Sequence, residues 1–525
     1  MDIGSAVWNG STNLDWNEDT NWTPNQHPEN GHVATFLGTE AGGLPTSNLP
    51  TTGTINFWFA AAYDIYLGEI MNGASVGIVT INHPDAVIQL YNGVDGTFTT
   101  CELYQGECEI YAAGGAGDVT LGGGELKLGG ADLNGDVLAI ADATVDWGTG
   151  SITGSLNADG HTITHLNAIG RDLVCDNAGT LDLGSTTDTG INVDINVAGI
   201  VTLGADLWCG DFTVTSGMLI GTGYTISASG DYLGEAAAVN TGVSVDLTGT
   251  GDCRQSSLSY AAGGYPQIIC AADGQVTTFP DPAYVGKITL GPGTADGTGH
   301  IFLRYINTDD PLEQDPANTL TVEKITIQNY TSSISQKSFR SNGELVVITN
   351  QANHPLTFTG SLDIAGSDLE IEGSASANTA RVIFEDGVSL ACRDIVLGLS
   401  TTDRGGSLTL GGSASFRNCG KSGDNGTGNA VVLGSSHVEC SGSMDADNVT
   451  ISSNESFPPE IVFGPGGKIT NTDDKGVNFA VGVHGDANVL SLGSNDANIV
   501  DYTNNQSAPG SLMTMGIGGG RLIVP

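Results

Sequence analysis

The chain has 525 residues, with 59 acidic against 16 basic side chains, a formal net charge of −43, and no Lys or Arg before Lys127. Such a surface repels phosphate backbones and anionic lipid heads, which argues against nucleic acid as a partner and against electrostatic membrane docking; no run of about 18 apolar residues is present to insert in a membrane. The 77 glycines against only 17 prolines, with 14% charged residues, describe many short strands and tight turns rather than a collagen-like or low-complexity chain.

The acidity suits a solvated exterior in a saline medium. The opening MDIGSAVWNG has neither the basic n-region nor the apolar h-region of an export signal, which sets the expectation of a product retained in the cell or released by lysis, a leader removed ahead of this numbering being the alternative. Nine cysteines lie loosely spaced, none as CxxC and none with histidines at zinc-finger spacing, so a structural zinc site is not expected. Their strand positions suit reduced, core-facing thiols. Local disulfides, Cys101 with Cys108 and Cys253 with Cys270, are the alternative.

In chain order, the first 36 residues differ from the rest. Trp8, Trp16 and Trp22 are half of the six tryptophans and are expected to seal the end of a core, an aromatic sugar-binding platform being the alternative. The pattern W-N-G, then W, then N-W-x-P, then G-x-x-A-x-F, over Trp8 to Phe36, resembles the opening module of autotransporter-like and other repetitive surface proteins built on β-helices. That resemblance implies a β-rich starting unit that leads into a solenoid.

Residues 51–91 carry bulkier side chains and suit either first solenoid coils or a small sandwich. From 97 to 246 short alternating strands recur: VTL at 119–121, ELKL at 125–128, VLAI at 137–140, TLDL at 180–183 and INVDINV at 191–197. The stretch 200–233 shows the unit plainly. Val201 with Leu203, Phe212 with Val214, and Tyr224 with Ile226 share strand faces at a spacing of roughly 11 to 12 residues. Such units bury their inward side chains only by stacking on neighbours. The fold expected is all-β, a right-handed parallel β-solenoid with a Trp-rich N-terminal module; tandem β-sandwiches are the alternative.

Between 253 and 355 the basic residues concentrate, and a proline- and acid-rich loop is expected at 307–318. The domain reading is therefore a capping module at 1–50, a solenoid at 51–250, an inserted or irregular β-region at 251–355, a continued solenoid at 356–500 and an association segment at 501–525. The apolar ending RLIVP suggests a strand that adds to this chain or a neighbour, so Met513 to Pro525 is expected at a subunit contact of a homo-oligomer.

Chemistry is sparser. A glycan-cutting β-helix needs paired carboxylates, or a carboxylate with Arg or Lys, over a groove. The candidates are Asp309 with Asp310, Glu385 near Arg381, and Asp394 beside Arg393, all of which chance supplies in so acidic a chain. GGAGD at 114–118 is a single copy of a calcium-type glycine motif, and DADN at 445–448 clusters oxygens without the EF-hand glycine; incidental Ca2+ is the most they allow. His161 and His165, in HTITH, are expected on one strand face as a metal pair lacking a third ligand. No catalytic or cofactor-binding residue is assigned.

The function expected is a structural or adhesive component of an extracellular assembly: a phage tail fibre, tailspike or capsid-surface protein, on the virion. A bacterial surface adhesin or filament subunit is the second reading and a polysaccharide-degrading enzyme the third. Partners would be copies of the chain itself, other virion or surface-assembly proteins, and cell-surface glycans.

Overall fold

A computed structural model describes residues 5–397 apart from short internal segments, and beyond residue 397 only the strands. The fold is all-β: 58% of residues are strand, in parallel sheets stacked as a β-solenoid of about 13 turns. That strand share is more than twice the share in ordinary globular domains, about 20–25%, so the chain is a β-helical repeat protein. Two compact units divide between Ser244 and Val245.

In the first unit three short strands make a coil. Asp118–Leu121, Glu125–Leu128 and Leu133–Asn134 form one coil, and each pairs in parallel with its equivalent in the next: Val137–Ala139, Ala143–Asp146 and Ile152–Thr153. The alternation of strands such as ELKL puts every second side chain inside. Leu126 stacks on Val145, and Leu133 on Ile152 and then Leu173, all buried. Each such side chain contributes about 1.5–3 kcal/mol when fully buried. No coil closes this core alone, because each one's apolar column continues into its neighbours.

The repeat that matters is the coil, not the strand-to-strand spacing of 11 to 12 residues. Bonded partners in successive coils of the first unit stand 18 to 25 residues apart; in the second unit the separation runs from 18 to 36. Two devices set the corners. Gly117, Gly135 and Gly154 stack so closely that a Cβ on Gly135 would lie 2.2 Å from the Gly117 carbonyl oxygen, and one on Gly154 2.3 Å from that of Gly135. Beside them, Asp136 donates its N–H to Asp118 Oδ1 (3.0 Å) and accepts the N–H of Ser155 at its own Oδ1 (2.7 Å).

The tryptophans are core. Trp8, Trp16 and Trp22 are at most 1% exposed, with ring centroids 4.9 Å (Trp8 to Trp22) and 4.8 Å (Trp16 to Trp22) apart in edge-on contact. Each indole N–H is taken by a backbone carbonyl, that of Gly43, Pro28 or Trp16, so these rings present no sugar platform. Strand Ser5–Trp8 pairs in parallel with Val33–Phe36, which pairs with Thr54–Phe59 and so joins the first coils, extending through Ser75–Leu90 and Thr100–Ile110. The described strands of this stretch, Thr54–Phe59 and Ser75–Leu90, are thus solenoid coils and not a sandwich.

The second unit repeats the parallel pattern: Lys287–Leu290 with Leu312–Gln314, His300–Arg304 with Lys324–Gln328 and then Glu344–Thr349, and Leu356–Phe358 with Thr379–Phe384. Two local readings change. Leu312–Gln314 is a strand inside the stretch expected to be loop, because Leu312 fills the column above Ile288. Tyr224 does not share a buried face with Ile226. It is 37% exposed and precedes strand Thr225–Ala228, whose inward residues are Ile226 and Ala228. In the tail, Thr514–Ile517 and Arg521–Ile523 pair with this chain's own Asn478–Val481 and Val489–Ser491; the side chains of Met513 to Pro525 lie outside the described residues.

Candidate functional site: a groove at a break in the sheet

One sheet of the first unit runs through Thr100–Ile110, Glu125–Leu128, Ala143–Asp146 and Ile163–Leu166. Among the described strands, Ile163–Leu166 pairs only with Ala143–Asp146. The next level of the coil is Gly184-Ser-Thr-Thr-Asp-Thr-Gly190, which makes no strand. The local chemistry explains why. The stretch has no apolar side chain to fill the column, and its flanking glycines take φ of +63° and +67°. Ser185 Oγ and Asp188 Oδ1 accept the N–H groups of Thr187 (3.3 Å) and Gly190 (2.8 Å), so side chains occupy the groups a ladder needs. Thr189 Oγ1 then donates to the Trp208 carbonyl at 2.9 Å, rejoining the stack.

The missing strand leaves an open groove of about 810 Å³. Its walls are the edge of Ile163–Leu166, the turn that carries Asn167, Ile169 and Arg171, and the loop Ser185 to Thr189. The size lies within the range of small-molecule sites, about 300–1,000 Å³.

His165 forms the groove's inner wall. By register it continues the inward column Ile88, Cys108, Leu126, Val145, an interior position held by an imidazole. Trp147 Nε1 donates to His165 Nδ1 at 3.1 Å, and His165 Nε2 lies 2.8 Å from the Leu183 carbonyl oxygen. An indole N–H only donates, so Nδ1 accepts and Nε2 carries the proton. Burial pulls the His165 pKa below its ordinary value despite the Leu183 bond, and a second proton would face the Trp147 N–H directly. His165 is therefore neutral, with both nitrogens committed. His161 lies outside the strand in a bend, its Nδ1 4.0 Å from Asp142 Oδ1, so the two histidines do not converge on a metal. Among the described residues no cluster of three His, Cys, Asp or Glu offers a metal site.

Asp309 and Asp310 have structural employment. Asp310 is 7% exposed at φ +55°; its Oδ1 accepts from Gln336 Nε2 (2.9 Å) and the Lys337 N–H (3.1 Å), and its Oδ2 lies 3.1 Å from Lys337 Nζ. Asp309 accepts the N–H of Ser335, which holds its carboxyl below the usual range. Glu385 and Arg381 are both exposed and form no ion pair with each other among the described residues. Arg393 and Asp394, Gly114 of GGAGD, and the DADN side chains lie outside the described residues. Asp118, which closes GGAGD, is engaged with the next coil.

A carboxylate pair absent from that set appears on the outer face of the same sheet. Lys127 stands beside Glu109 by register, and its Nζ lies 2.5 Å from Glu107 and 3.8 Å from Glu109; Tyr111 donates to Glu109 at 2.7 Å. Burial, then the bond shared with Glu109, raises the Glu107 pKa. Burial also pushes Glu109 up, but the bonds from Glu107 and Tyr111 outweigh it and hold Glu109 below its ordinary value. The two acids thus stand under one ammonium group with pKa values pushed in opposite directions. The GEC and ELK runs alone hide this pairing, because it exists only across coils.

The described cysteines, Cys101, Cys108, Cys175, Cys209, Cys253, Cys270 and Cys392, are buried free thiols, with Cys101 Sγ and Cys108 Sγ 3.4 Å apart. Comparison with known proteins finds no matching family model, no matching curated protein and no matching solved structure.

Proposed function

We propose that the chain is a structural and adhesive component of an extracellular assembly, and specifically a virion appendage of the tail-fibre, tailspike or capsid-surface kind. The observation that carries this reading is the stacking itself. In-register parallel coils around an apolar column within each unit make a regular element with a polar, strongly acidic exterior, and a break in the sheet of the first unit opens a groove whose histidine has both nitrogens engaged. Such a wall holds a partner in place; it does not move protons. The acidic exterior supports a particle exposed to salt. Antibodies raised against the chain, applied to lysates under the electron microscope, test the assignment: labelling of virus particles is expected, while labelling confined to bacterial envelopes identifies a surface adhesin or filament subunit instead.

The Glu107–Glu109 pair favours a second reading, polysaccharide cleavage, since two carboxyls with diverging pKa values resemble an acid and base division of labour. Release of reducing ends from a polysaccharide, abolished in Glu107→Gln, would establish it over the adhesive reading.

A further inference from the structure

We propose that the groove binds a carboxylate-bearing saccharide, a uronic or sialic acid unit of a glycan chain, with Arg171 taking the carboxylate; the inference rests on the adhesive reading and names what is adhered to. Arg171 differs from five other basic residues in its charge environment. Lys127, Lys287, Lys324, Lys337 and Arg340 each have a carboxylate within ion-pair distance. Arg171 lines the groove with no ion pair among the described residues, and its Nε is shielded from solvent without a hydrogen-bond partner. In a chain with 59 acids, a guanidinium left without one in a groove is a vacant fork for a planar anion. The carboxylate among the lining residues, Asp188, accepts the N–H of Gly190 in its own turn.

The remaining lining specifies a sugar over a peptide. Thr162, Thr164, Thr186 and Thr187 offer hydroxyls and Asn167 an amide, groups that exchange hydrogen bonds with a polyhydroxylated ring. Ile169, 85% exposed, supplies the apolar patch that the C–H face of a pyranose covers. An added peptide strand finds little ladder: the open edge spans only Ile163–Leu166, and the Ile163 N–H already donates to the Gly184 carbonyl at 3.1 Å.

Calorimetric titration of the full chain with oligogalacturonate, oligoguluronate and oligosialate, their carboxyl-reduced counterparts, neutral malto-oligosaccharide and oligoglutamate tests this. Saturable binding of at least one acidic oligosaccharide is expected, weakened at least about tenfold by carboxyl reduction or by Arg171→Gln, the scale of one lost charge-assisted hydrogen bond. Arg171→Lys should recover part of the loss. Ile169→Ser, at a side chain too exposed to affect folding, should also weaken binding. Binding by none of the three acidic probes, equal affinity for the carboxyl-reduced forms, binding unchanged in Arg171→Gln, or binding of oligoglutamate alone would each overturn the proposal. Particles that carry the chain but bind no acidic saccharide overturn this inference only; absence of the chain from particles and cell surfaces overturns the adhesive reading.

Discussion

Asp136 and Ser155 stand one coil apart, and the Asp136 carboxylate accepts the Ser155 backbone N–H at 2.7 Å. The relationship recurs: Asp132 accepts from Ser151, Asp142 from Thr162, Asp206 from Thr225 and Asp211 from Asp231. Much of the acidity therefore has a local duty, because aspartate at a coil corner satisfies an N–H that the turn leaves without a ladder partner. Asp136→Ala should lower stability by about 0.5–1.5 kcal/mol, whereas Asp136→Asn, which keeps the acceptor oxygen, should lose less. Urea denaturation of the two variants checks the order.

Glycine at the corners is demanded by contact distance. In Gly135→Ala the new methyl would meet the Gly117 carbonyl at 2.2 Å, an overlap with backbone that neighbouring rotamers do not relieve, so about 1–3 kcal/mol of destabilisation is expected. Gly179→Ala is the control, since its methyl would sit 3.4 Å from the Ser155 Cβ. A melting temperature for Gly135→Ala equal to that of Gly179→Ala would contradict the tight stacking.

His165 makes stability depend on pH. Its folded pKa lies below the ordinary value of 6.5, so the unfolded chain takes up a proton first as pH falls, and acid through that range favours unfolding. The wild-type chain should therefore lose more stability between about pH 7.5 and 5.5 than His165→Gln, which cannot titrate there. Equal pH slopes, measured by thermal melts of both proteins, would show that the imidazole is not held neutral.

Thiol chemistry should be suppressed in the folded chain. Burial, with Asp194 as the next contributor, pushes the Cys175 thiol up to about 12; the bond from Cys101 and then burial raise Cys108, and burial raises Cys209 and Cys253. Thiolate is the reactive form. Iodoacetamide at about pH 8 should label Cys101, Cys108, Cys175 and Cys209 slowly until urea is added, as peptide mapping would show; rapid native labelling at Cys175 would contradict its burial.

Strand identity was legible wherever apolar and polar residues alternate, as in ELKL and VTL, because side-chain parity is a local property. Coil length was not. Residues 18 or more apart meet only when three strands have been laid around a column, and nothing in 200–233 marks which strand faces which. The groove was half legible: Gly184 to Gly190 is a polar run where the column requires an apolar residue, a visible gap in the pattern. Its chemistry was hidden, since the inward position of His165 follows from its register with Val145, and the Glu107, Glu109 and Lys127 cluster from register as well. HTITH read as a strand put both histidines on one face; the bend at His161 shows that the strand starts only at Ile163.

The unpaired edge of Ile163–Leu166 also has a mechanical meaning. In a parallel stack a pull along the coil axis is borne by hydrogen-bond columns acting side by side, and at this level one column is reduced to the backbone bonds of Ile163 to Gly184 and Gly170 to Gly190, with side-chain ties of His165 to Leu183 and Thr189 to Trp208. Tension and bending concentrate where stiffness drops, so within the first unit this level is the compliant joint, and an occupant wedged between the strand edge and the Ser185 to Thr189 loop would act as a splint.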